Sequence, residues 1–85
     1  MKTLEWTRDL DWDALGSEAI GILQRLLRVD TTNPPGNERA ACDVLAEIMS
    51  AEGIEHELFD VAEGRANLVA RLRGHGEEAP VLLSA

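Results

Sequence analysis

Between positions 14 and 29, Leu15, Ala19, Ile22, Leu23, Leu26 and Val29 fall on one side of a helix turned at about 100° per residue. Ser17, Gly21, Gln24, Arg25 and Arg28 fall on the other side. This one-sided stripe predicts an amphipathic helix over 14–29. Asp11 or Asp13 can cap its start, because a short carboxylate accepts bonds from orphan N–H groups. Arg25 and Arg28 near its end complement the helix dipole. A second stripe, Ala41, Val44, Leu45, Ile48 and Met49, with Asp43, Glu47 and Ser50 opposite, predicts a helix over 38–52. Asn37 is the expected N-cap, Glu38 suits the first turn, and Gly53 is the expected left-handed end.

The period changes after Gly53. Residues 54–60 read as a strand that is polar at first, and 66–73 as a second strand with Leu68, Ala70 and Leu72 on one face. The short connection Ala62-Glu63-Gly64-Arg65 makes the pair antiparallel. Residues 80–85, apolar on both faces, predict a third and central strand. The chain between the helices, Asp30-Thr31-Thr32-Asn33-Pro34-Pro35-Gly36-Asn37, is a loop stiffened by two prolines. Residues 1–12 form an acidic lead-in. The order helix-helix-strand-strand-strand points to an α/β class, with two helices available to cover one sheet face and nothing available for the other.

Eighty-five residues make at most one small domain, and such a chain buries only roughly 60–65% of its unfolded surface. With Trp6, Trp12 and Phe59 as the only aromatics, the core must be aliphatic, and the two tryptophans read as packing anchors. The net charge of −8, from 16 acidic against 8 basic residues, argues against nucleic acid or an anionic membrane as partner. A single cysteine allows no internal disulfide and fits a reducing compartment. Met1–Trp6 has no apolar stretch of signal-peptide length, and no run approaches the roughly 20 apolar residues of a membrane span. A cytoplasmic protein is the expectation.

No constellation of catalytic residues stands out. His56 alternates with Glu55 and Glu57, but neighbours on a strand face opposite ways, so the three cannot converge on a metal and His56 is expected on a solvated face. His75, between two glycines, reads as an exposed loop residue. Cys42 lies at the edge of the second helix's apolar face without a positioned base, as a half-buried structural thiol would. Ser84 lacks the strand-turn-helix setting of a nucleophile elbow. Gly36-Asn37-Glu38 is better explained by capping than by anion binding. Asp30, Glu38 and Asp43 have no spacing that pairs them as acid and base.

Several segments in order nevertheless carry a family likeness. Leu27-Arg28-Val29-Asp30-Thr31-Thr32-Asn33-Pro34-Pro35-Gly36-Asn37-Glu38, then Gly53-Ile54-Glu55-His56-Glu57, Asn67-Leu68-Val69-Ala70-Arg71-Leu72 and Pro80-Val81-Leu82-Leu83 resemble the N-terminal end of the M20 metal-dependent hydrolases. That group includes acetylornithine deacetylase, succinyl-diaminopimelate desuccinylase, aminoacylase-1 and glutamate carboxypeptidase. The likeness spans about residues 15–85 and rests on the order and spacing of the pieces. It implies the first part of a three-layer α/β/α zinc-peptidase-like domain with a mixed sheet. It also implies two zinc ions, hydrolysis of an amide in a small acylated amino acid or peptide, and a homodimer formed through a further domain. The family's first metal ligand lies in a His-x-Asp directly after the third strand. No catalytic, cofactor or metal residue of the family therefore maps onto a position in 1–85.

The apolar run Val81-Leu82-Leu83-Ser84-Ala85 has no turn or polar tail after it, which is the mark of an interrupted strand. The expectation is thus an incomplete N-terminal segment of a catalytic domain, inactive by itself and without a tight zinc site. The alternatives are a complete small non-catalytic α+β module that binds a partner, and another α/β hydrolase or pseudoenzyme sharing this opening.

Overall fold

The computed structural model describes residues 5–85, in which a short 3-10 turn (Glu5–Asp9) leads into helix α1 (Trp12–Leu27). Helix α2 (Glu38–Ala51), strand β1 (Glu55–Ala62) and strand β2 (Arg65–Arg71) follow. This is a small α+β arrangement with two helices and a two-stranded antiparallel sheet. The part of the lead-in before Glu5 lies outside the described residues.

Asp11 is the residue that caps α1: its carboxylate accepts the Ala14 N–H at 3.0 Å. The helix accordingly starts at Trp12, two residues before the predicted start at 14, and ends at Leu27 rather than 29. Trp12 is not a packing anchor. It is 60% exposed, and its indole N–H donates to the Thr7 carbonyl at 3.0 Å, tying the 3-10 turn to α1. The side chain of Trp6 lies outside the described residues.

Helix α2 ends in a Schellman motif. The Ile54 N–H reaches the Met49 carbonyl at 2.9 Å and the Gly53 N–H reaches Ser50 at 3.2 Å, with Gly53 at φ +68°. That reversal turns the chain directly into β1. Ala41, Val44, Leu45, Ile48 and Met49 are all half-buried while Asp43, Glu47 and Ser50 are exposed, as the stripe predicts.

The two strands pair in the register His56↔Ala70, Leu58↔Leu68 and Asp60↔Ala66, with an irregularity between Asp60 and Ala62 beside the turn. Side chains alternate across the pleat. The half-buried His56 and Leu58, with Ala66 and Leu68 from β2, therefore make the face that meets α2. Ala66 is the most enclosed apolar residue among the described residues, at 7% exposure. The other face, with Phe59 and Val69 each 46% exposed, has no cover among the described residues.

Two expectations are corrected here. First, α2 alone lies on the sheet, and α1 touches only α2 among the described elements. Leu15, Ile20, Leu23 and Leu27 consequently stay 44–74% exposed. Second, residues 80–85 form no third strand. A strand exists only through a hydrogen-bonded neighbour, and none pairs with this segment, so Val81, Leu82 and Leu83 are 86–90% exposed. The radius of gyration is 15.8 Å, where a compact chain of this length would have about 12 Å. The apolar contacts thus concentrate in one layer, α2 on the hairpin. No helix among the described residues is long and apolar enough to cross a membrane.

Candidate functional site

The loop between the helices is the most constructed non-repetitive part of the chain. Asp30 opens it with an Asx turn, its Oδ1 accepting the Thr32 N–H at 3.0 Å. The Thr32 carbonyl then accepts the Gly36 N–H at 2.8 Å, closing the loop over the two prolines. Gly36 is buried at φ +77°, a conformation that disfavours any Cβ, and an added Cβ would stand 3.1 Å from Glu38 Oε1 and 3.2 Å from Arg65 Nε.

The start of α2 is held by the hairpin turn rather than by its own cap residue. Asn37 occupies the N-cap position, but its side chain makes no capping bond. The Arg39 N–H donates instead to the Gly64 carbonyl at 3.0 Å. Beside it, Arg65 grips Glu38 with both ends of its guanidinium, at 2.9 and 3.0 Å. Arg39 bonds Asp43 one turn along α2 at 3.0 Å and also pairs with Asp60 of β1. The loop, the helix start and the hairpin turn are therefore one unit.

Loop and turn line an open depression of about 700 Å³, walled by Asp30, Thr32, Pro34, Pro35, Asn37 and Glu63. Hydrogen bonds from the Thr32 hydroxyl and amide hold the Asp30 carboxyl below the usual carboxylate range. Arg65 does the same to Glu38, with the residue's own amide adding to it. Carboxylates committed this way are weak bases at neutral pH, so Asp30, on the wall of the depression, and Glu38, beside it on Arg65, hold structure rather than move protons. Asp30, Glu38 and Asp43 each have a different partner and do not pair with one another.

The remaining candidates are engaged structurally. Cys42 is half-buried, and its thiol donates to the Ala66 carbonyl at 3.6 Å. Burial, with the charge of Asp43 second, pushes this thiol up, the opposite of what a nucleophile needs. His56 is not on a solvated face. It is half-buried under the end of α2, with Nδ1 2.8 Å from the Ile54 carbonyl and Nε2 3.4 Å from Ser50 Oγ. Glu55 and Glu57 sit on the opposite, exposed face, and Glu55 is bound by Arg73 at 2.9 and 3.0 Å. His75 is exposed in the loop after β2, and Ser84 is exposed near the chain end.

Among the described residues no three of His, Cys, Asp and Glu come together in a way that could hold a metal ion. The donor sets present here do not fit the two zinc ions that the M20 likeness implies, and no chemical step can be drawn through zinc on these residues. Two arginines of the site, Arg39 and Arg65, do not emerge from sequence reading. Arg39–Asp43 has a readable signal, the helical i,i+4 spacing, whereas Arg65 and Glu38 are 27 residues apart and have none. No protein-family model, curated protein or solved structure matches this chain.

Proposed function

We propose that residues 1–85 are the N-terminal segment of an M20-like metal-dependent hydrolase that cleaves amide bonds, of deacylase or carboxypeptidase type. The segment supplies scaffold and no metal ligand. In this reading it belongs to a three-layer α/β/α domain, the substrate is a small acylated amino acid or peptide, and two zinc ions bind to residues outside 1–85. A homodimer through a further domain belongs to the same proposal. So does a cytoplasmic location, for which the free thiol of Cys42 is the support.

One observation carries the reading. The longest of the four segments that together bear the family likeness, Leu27–Glu38, contains a built loop and not a bare linker: Gly36 has a left-handed backbone, Glu38 is gripped by Arg65, and the Asp30 turn is closed by Thr32. The order helix, loop, helix, antiparallel hairpin, with Asn67-Leu68-Val69-Ala70 inside β2, matches the first four of the five expected elements, the third strand being the one not formed.

The test is the coding sequence that follows the codon for Ala85, together with hydrolysis of N-acyl amino acids by the product of the whole open reading frame. The expected result is a His-x-Asp directly after this segment and an activity abolished by a chelator and restored by zinc. A stop codon at that point sinks the proposal and leaves the non-catalytic α+β binding module.

A further inference from the structure

We draw no further inference here: the strongest candidate, the apolar outer face of the hairpin around Phe59 and Val69 together with the exposed segment Val81–Leu83, carries nothing because nothing in the structure shows what covers it.

Discussion

Arg65 holds Glu38 by both carboxylate oxygens, Nε to Oε2 at 3.0 Å and Nη2 to Oε1 at 2.9 Å. The pair bolts the first residue of β2 to the first residue of α2. A bidentate guanidinium–carboxylate contact fixes orientation as well as distance. Its partners are 45% and 37% exposed, so water screens it and its worth lies in geometry more than in depth of binding. The neighbouring Arg39 N–H to Gly64 carbonyl bond repeats the connection through the backbone. Side chain and main chain thus fasten the same two elements at one point.

Acid should release this fastening. Glu38 has a folded-state pKa below its ordinary 4.5, so its contribution is complete above that value and is lost as pH falls through the lowered one. Asp30, bound by Thr32, and Glu55, bound by Arg73, shift in the same direction and add to the same loss. Thermal unfolding followed by circular dichroism should show a midpoint that drops below about pH 4.5. Glu38→Gln should lower the midpoint at pH 7 and approach the unsubstituted chain at low pH. A gap that stays constant down to about pH 2 would show that ionisation of Glu38 is not the source.

The elements of this fold were legible where a single segment determines them. Every residue of the α2 stripe is half-buried, because a helix next to any apolar layer buries the same stripe. The antiparallel hairpin follows from a two-residue turn containing Gly64. What stayed hidden depends on partners distant in sequence. His56 alternates correctly on β1, but only the arrival of the α2 end over it makes it half-buried. Val81-Leu82-Leu83 has the composition of a central strand, yet composition states a capacity to pair and not the presence of a neighbour.

The left-handed glycines should differ in sensitivity according to what surrounds them. Gly36→Ala and Gly53→Ala both carry the cost of a Cβ at positive φ, roughly 1–2 kcal/mol. At Gly53 nothing lies within reach of the new methyl, so the cost stops there. At Gly36 the methyl would also push on Glu38 Oε1 and Arg65 Nε, 3.1 and 3.2 Å away. Urea denaturation should therefore rank Gly36→Ala as the more destabilising change, and combining it with Glu38→Gln should give less than the sum. Equal losses at the two glycines would contradict the close fit at Gly36.

The two helix starts should respond unequally to loss of their cap residues. Asp11 accepts the Ala14 N–H at 3.0 Å, and removing such a cap costs about 0.5–2 kcal/mol of helix stability. Asn37 makes no capping bond, and the Gly64 carbonyl already takes the Arg39 N–H. Asp11→Ala should thus lower the helical circular dichroism signal by fraying α1, with Asp11→Asn largely restoring it, while Asn37→Ala leaves the signal nearly unchanged. A larger loss from Asn37→Ala would mean that the hairpin turn does not cap α2.

Leu82 provides the sharpest check on the corrected C-terminal segment. Removing a packed leucine costs about 2–5 kcal/mol, whereas a surface change away from special features stays within about 0.5 kcal/mol. Leu82 is 87% exposed in this chain, so Leu82→Ser should leave the denaturation midpoint of residues 1–85 in place while reducing self-association. If the proposed function holds, a product continuing past Ala85 would pair Val81–Leu83 with further strands, and there the same substitution should be costly. A large loss in residues 1–85 alone would restore the third strand to this chain. A negligible loss in both would leave the apolar segment unpaired in the longer protein too and count against the hydrolase reading.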